Sequence, residues 1–385
     1  MYARNKFHHL GLGHRFLCLS LCVMSLFSVK AQSLPADGEL TVRPLLQQLG
    51  QQLLKGKQGS IVAIQPETGE VICLATNSPK GPDVSLAIAK AYAPGSTFKT
   101  AQALAMLSEG SITEDTAIPC ENGFLDGNIR VGCHKHASPL KLKQALAQSC
   151  NTWFIETFAS MINDDFMYES RDEAIDTWRD YMRSMGLGGP LILDMGGDMG
   201  GLLANSAYLN RRYKDGWDGK TIMWAGMGQG DVTATPLQLC NLAVTIANRG
   251  WYCVPHIYKD TREHPLASRF KEQRTTKVQP QAYKPVIAGM REAVVSGTAY
   301  AINNPKYKIC GKTGTVENPG KDHSVFIGFA PMEHPKIAVC AYIEHGGFGA
   351  DMAAPMAALI MEMYLKGKLS PQSEKLAQRL SAKKL

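Results

Sequence analysis

The chain has 385 residues, of which 45% are hydrophobic and 19% charged, enough apolar side chain for one or two lobes with a sizeable core and too much for general disorder. Its formal net charge is +7, but Arg4, Lys6, Arg15 and Lys30 fall in the first 31 residues, which hold no acid. The remainder therefore carries only +3, and nothing in the balance argues for a nucleic-acid partner.

The first feature in chain order is the apolar run Phe16–Val29, which follows a basic, His-rich start and ends in Val29-Lys30-Ala31. Residues 1–31 read as a secretory signal peptide cut after Ala31, with an uncleaved anchor as the alternative, so the bulk is expected to be exported, to the periplasm or the outer face of the inner membrane. Residues 32–58 are a lead-in segment. The stretch Gly59–Ala75 predicts a hairpin around the turn Pro66-Glu67-Thr68-Gly69. Pro94-Gly95 breaks the chain, and apolar residues three and four apart predict a helix over Ser96–Glu109. Helical patterns with Gly-rich interruptions run from Leu140 to about Leu202, and Thr235–Ala247 predicts a helix with Pro236 in its first turn. Three strand-like runs follow at 308–315, 324–331 and 337–345, then a helix over about Pro355–Leu365. The basic tail 367–385 is expected to be a frayed surface helix. Strands, helices, strands and a helix, in that order, predict an α+β fold over residues 59–366: an antiparallel sheet flanked by terminal helices, with an inserted helical lobe.

Ser96-Thr97-Phe98-Lys99 places a hydroxyl and an amine one turn apart at a helix start, the arrangement of a nucleophile beside its base. Ser138-Pro139-Leu140-Lys141 and Ser381-Ala382-Lys383-Lys384 share the S-x-x-K spacing, so the spacing alone decides little, and serine is also a favoured helix cap. Only the Ser96 copy follows a Pro-Gly turn and precedes an apolar helix that would bury the lysine. Its partners are Ser149-Cys150-Asn151, the one S-x-N, and Lys312-Thr313-Gly314-Thr315, the one K-T-G. The three elements in this order form the signature shared by penicillin-binding proteins and serine β-lactamases.

The stretches AYAPGSTFK, AGMGQGDVTATPLQLCNLAVTIANRG, VSGTAY and DHSVFIGFAP extend the likeness, and the exported chain resembles the transpeptidase domain of class B, elongation-type penicillin-binding proteins. The resemblance implies a serine acyl-enzyme that cross-links peptidoglycan stem peptides during cell-wall growth and is inhibited by β-lactams, with no cofactor for catalysis. Ser96 would be the nucleophile and Lys99 its base; Ser149 and Lys312 would move the proton to the leaving nitrogen. Asn151, Thr313, Gly314 and Thr315 would hold substrate, with the N–H groups of Ser96 and Thr315 as oxyanion hole. Gly228-Gln229-Gly230 reads as architecture. Class B proteins usually carry a large domain before the transpeptidase, and only residues 32–58 separate the signal from the first strand here, so no wall-synthesis partner is carried over. A D,D-carboxypeptidase, a β-lactamase and a non-catalytic stem-peptide binder are the alternatives.

Of ten cysteines, Cys73, Cys310 and Cys340 lie in strand-like runs and read as small buried hydrophobes. Cys120, Cys133, His136 and Cys150 form a C-x12-C-x2-H-x13-C set able to close a tetrahedral structural zinc site, with His134 as substitute for His136. Some elongation-type relatives hold zinc beside the active site, and His136 and Cys150 fall where two of those ligands would. A Cys120–Cys133 disulfide or free thiols are the other readings.

Overall fold

The computed structural model describes residues 39–385, so the expected signal peptide lies outside the described residues. The chain enters through helix α1 (Pro44–Leu54) and makes the hairpin β1 (Gly59–Ile64) and β2 (Val71–Asn77). Helices α2 (Ser85–Ile88) and α3 (Lys99–Glu109) follow, then the hairpin β3 (Gly123–Asp126) and β4 (Ile129–Gly132). The helical lobe comprises α4 (Leu142–Gln148), α5 (Asn151–Ile162), α6 (Arg171–Ser184), α7 (Ser206–Arg212) and α8 (Met223–Gly226). Helix α9 (Pro236–Ala247), the short pair β5 (Trp251–Cys253) and β6 (Gln273–Thr275), and α10 (Tyr283–Val295) lead into β7 (Cys310–Val316), β8 (His323–Ala330) and β9 (Ile337–Ile343). Helices α11 (Ala353–Lys366) and α12 (Pro371–Ala382) end the chain.

The main sheet has the order β2-β1-β9-β8-β7 and is antiparallel throughout. Alternation along each strand sends Ile61, Ala63, Val339 and Ala341 to a core shared with α1, α11 and α12, while Val62, Ile64, Cys340 and Tyr342 face the core of the helical lobe. Both faces are therefore covered, which is why the strands read as nearly unbroken apolar runs. Helix α9 lies against β9, β1 and β8 with all twelve residues buried. Its start is fixed by a capping box in which Thr235 accepts from the Gln238 N–H and the Gln238 side chain accepts from the Thr235 N–H.

The fold class stands as expected. The C-terminal tail differs from expectation: α12 is well formed, its Ala377 and Leu380 are buried in the core shared with α1, and the small, apolar positions that do this were masked by the surrounding lysines. The expected hairpin, the α9 helix and the three late strands are present within a few residues. Among the described residues no helix is long and apolar enough to cross a membrane.

Candidate active site

Ser96 sits in a 3₁₀ turn, Gly95–Phe98, that runs directly into α3 at Lys99. The turn is braced from behind. Gly95 has φ +54°, its N–H donates to the Gly228 carbonyl at 2.8 Å, and a Cβ on Gly228 would lie 2.3 Å from the Gly95 oxygen. Gly228-Gln229-Gly230 is thus architecture, as read, but architecture that holds the serine turn itself.

Lys99 is fully buried, and its Nζ donates to the Ser149 carbonyl (2.9 Å), to Asn151 Oδ1 (2.5 Å) and, at a long 3.5 Å, to Ser149 Oγ. Its hydrogen bonds among the described residues go to the S-x-N turn and none to Ser96. Burial lowers the ammonium to about 8, opposed by the nearby Cys150 and Cys133 sulfurs. Lys312, also fully buried, donates to the Thr313 carbonyl at 2.9 Å. Burial, then the Lys99 charge, holds it well below the usual lysine range.

The S-x-N motif is the joint between two helices. Ser149 closes α4 in the left-handed region at φ +56°, Cys150 caps α5 by accepting from the Trp153 N–H, and Asn151 opens α5. The Asn151 amide donates to the Gly132 carbonyl at 2.8 Å, so the end of β4 orients it. Neither Gly132 nor the β3–β4 hairpin was found by sequence reasoning, because four-residue strands give too short a pattern to register.

The K-T-G-T segment lies on β7, the edge strand, whose free edge offers backbone groups to a substrate chain. Thr313 and Thr315 share one side of it by the two-residue period. The Gly349 N–H lies 3.4 Å from Thr315 Oγ1, and the hydroxyls of Thr298 and Thr313 are 2.6 Å apart. Gly314 also has a packing reason: a Cβ there would meet Val325 Cγ1 at 2.5 Å and Thr97 Cγ2 at 3.2 Å. The glycine lets β7 approach its neighbour strand and the serine turn, whatever it also does for substrate.

Cys120, Cys133, His136 and Cys150 place one ligand atom each within 4.8 Å of all the others, and all four residues lie beside the S-x-N joint. The cysteines are free thiols. His136 Nδ1 lies 2.7 Å from the Ala137 carbonyl, which only accepts, so Nδ1 carries the proton. Its other ring nitrogen, Nε2, is buried without a partner. Cys133 Sγ accepts from the Asn151 N–H at 3.2 Å. A hydrogen bond with the Cys150 thiol, with help from Thr152 and Asn151, pulls the Cys133 thiol down. His134 lies outside this cluster and is exposed; partial desolvation, then the charges of Lys312 and Lys99, lower its pKa. The other S-x-x-K copies are structural. Ser138 accepts from the Cys120 N–H and Lys141 pairs with Asp115 at the surface, while Ser381 bonds back along α12.

Residues 59–362 match the family described as the penicillin binding protein transpeptidase domain. The chain belongs to this family. It is 31% identical to the peptidoglycan D,D-transpeptidase MrdA of Acinetobacter baumannii over 81% of this chain and 52% of that protein. It is 27% identical to the MrdA of Haemophilus influenzae over 90% of this chain and 58% of that one. The chain thus spans between half and three fifths of the length of these relatives. The transpeptidase fold also superimposes on the crystal structure of Pseudomonas aeruginosa PBP2 with a TM-score of 0.74 and 28% identity, covering 86% of this chain and 77% of that one.

Proposed function

We propose that this penicillin-binding transpeptidase domain is an exported peptidoglycan D,D-transpeptidase that acts through a Ser96 acyl-enzyme. The observation that carries the reading is Lys99: a buried amine, lowered to about 8, one turn from Ser96 and bonded to both residues of the S-x-N motif. In its neutral form Lys99 accepts the Ser96 proton while Oγ attacks the carbonyl of the penultimate D-alanine of a stem peptide. The negative oxygen is received by the N–H groups of Ser96 and Thr315. The tetrahedral adduct then collapses, the peptide C–N bond breaks, and Ser149, together with Lys312, passes a proton to the departing D-alanine nitrogen. Asn151 holds the peptide amide; Lys312, Thr313 and Thr315 bind the terminal carboxylate, an anion suited to a cation and two hydroxyl donors. An amine of a second stem peptide attacks the ester next, which restores the Ser96 hydroxyl and forms the cross-link.

The first half of this reaction is what a β-lactam intercepts. Incubation with a fluorescent penicillin should leave a persistent adduct that maps to Ser96 and disappears in Ser96→Ala. Rapid turnover of the penicillin would assign a β-lactamase, and absence of labelling would assign a non-catalytic binder. Release of D-alanine from a stem pentapeptide without transfer to an added amine would assign a carboxypeptidase.

Catalysis on this scheme needs no cofactor. We also propose that Cys120, Cys133, His136 and Cys150 hold a structural zinc ion. Three thiolates and one imidazole suit zinc, and the 3.9 Å between the Cys133 and Cys150 sulfurs is near the edge of about 3.8 Å that a tetrahedral site with bonds of ~2.3 Å requires. The support for His136 as a ligand is that Nδ1 donates to the Ala137 carbonyl while Nε2 is buried and unpartnered, the way a metal-binding imidazole is held by its other nitrogen. The ion would supply rigidity to the S-x-N joint. Metal analysis of protein purified without chelator should find about one zinc per chain; under half an equivalent, with Cys120 and Cys133 cross-linked, would replace zinc by a disulfide.

A further inference from the structure

Thr298 follows α10 in the segment Ser296-Gly297-Thr298, and it touches both sides of the cleft. Its backbone N–H donates to the Ala147 carbonyl at 3.0 Å, two residues before Ser149 on the last turn of α4. That approach depends on the preceding glycine, since a Cβ on Gly297 would lie 2.2 Å from the same oxygen. The side chain points the other way: its Oγ1 is 2.6 Å from Thr313 Oγ1 on β7.

A hydroxyl has one proton to give and two lone pairs to receive. Thr315 has the Gly349 N–H at its oxygen, which can only donate, so the Thr315 proton is free to point into the cleft. Thr313 has a hydroxyl in the corresponding place, and that contact runs in either direction. If Thr313 donates to Thr298, its only proton is spent and the oxygen presents lone pairs to an arriving carboxylate, which repels them. If Thr298 donates, the Thr313 proton is free for the carboxylate, and the donated bond polarises it in the right sense.

We propose that Thr298 is a positioning residue that donates its hydroxyl proton to Thr313, so that Thr313 in turn donates to the terminal carboxylate of stem peptides and β-lactams. The proposal rests on the acyl-enzyme reading of the site. Thr298 acts through Thr313 and not on the reacting atoms. Its backbone bond to Ala147 sets the distance between the carboxylate-binding strand and the S-x-N joint from the same residue.

The test compares a penicillin with its methyl ester, using the second-order rate of Ser96 acylation as readout. The parent protein should prefer the free acid. Thr298→Val, nearly isosteric and retaining the backbone bond, should narrow the acid-to-ester ratio about fivefold to tenfold, the size of one net hydrogen bond. Thr298→Ser should restore the ratio. In a Thr313→Val background the Thr298→Val change should leave the ratio where it is, because the hydroxyl it acts through is gone. A role confined to packing would slow acid and ester alike, and an unchanged ratio in Thr298→Val with the parent still labelled overturns this proposal alone. Loss of labelling in the parent protein overturns the acyl-enzyme reading and this proposal with it. Should Thr298→Val fail to fold, Thr298→Ala, which fills no extra space, carries the same expectation and the same overturning result.

Discussion

The active-site lysines are the residues whose chemistry depends most on burial. Lys99 is enclosed by the S-x-N joint and the Phe154 ring, and an ammonium without solvent loses its proton more readily, here at about 8. Only the neutral amine can accept the Ser96 proton, so acylation should climb about tenfold per pH unit below about pH 8 and level off above it. Stopped-flow acylation by a chromogenic cephalosporin across pH 6 to 10 measures this; a rate flat through that range would remove Lys99 as the base. Gly314 gives a second prediction at this scale. A methyl group at position 314 must displace Val325 or Thr97, which should cost roughly 1–3 kcal/mol of stability by overpacking and push β7 away from the serine turn. Gly314→Ala should therefore lower both the urea midpoint and the acylation rate, whereas a loss of acylation at full stability would return the glycine to a purely substrate-facing role.

At the scale of elements, much of the fold was legible because long patterned segments leave a strong trace. The late strands β7, β8 and β9 and the helix α9 carry runs of seven or more residues that are buried over most of their length. Ser96, Lys99, Ser149, Asn151 and Lys312 were singled out by motif order, and the structure joins Lys99 to Ser149 and Asn151 by hydrogen bonds. What was not legible depends on distant pairing. The Gly132 carbonyl that orients Asn151 and the Thr298 hydroxyl that meets Thr313 are local accidents in sequence and contacts only in space. The serine helix begins with a 3₁₀ turn and not an α-helical one, since Gly95 is held in a left-handed conformation against Gly228. Helix α12 was misjudged as frayed because the tail around it carries Lys368, Lys375, Arg379, Lys383 and Lys384, yet Ala377 and Leu380 lie on one face, three residues apart, over α1. Leu380→Ala should thus cost about 2–4 kcal/mol, read as a lower urea midpoint at unchanged slope. A cost under about 0.5 kcal/mol, the level of surface changes, would mean that the helix contributes nothing to the core.

At the scale of the whole molecule, the cleft lies where a sheet edge meets a helical lobe, and the two are built from segments far apart in the chain. Lys312 and Thr313 come from β7, Ser149 and Asn151 from the α4–α5 joint, Ser96 from the turn before α3. The sheet side is rigid through burial on both faces. The S-x-N side joins α4 and α5, which are buried in the helical lobe, to loops and to the hairpin of β3 and β4, two strands of four residues each with little core of their own. A zinc ion held by Cys120, Cys133, His136 and Cys150 would cross-link those loops across 31 residues of sequence, from 120 to 150, and fix the sulfur that receives the Asn151 N–H. A ligand that binds only the folded chain stabilises it by an amount that grows about 1.4 kcal/mol for each tenfold rise of free metal above its Kd. Thermal unfolding followed against buffered free zinc should therefore rise steadily, and stripping with chelator should lower the midpoint and slow Ser96 acylation together, with recovery on adding zinc back. Cys120→Ser should flatten the zinc dependence while Cys253→Ser, at a buried thiol outside the cluster, should leave it intact. A melting temperature indifferent to both zinc and chelator would leave the S-x-N joint held by its hydrogen bonds alone, those of the Asn151 side chain to Gly132 and Lys99 among them.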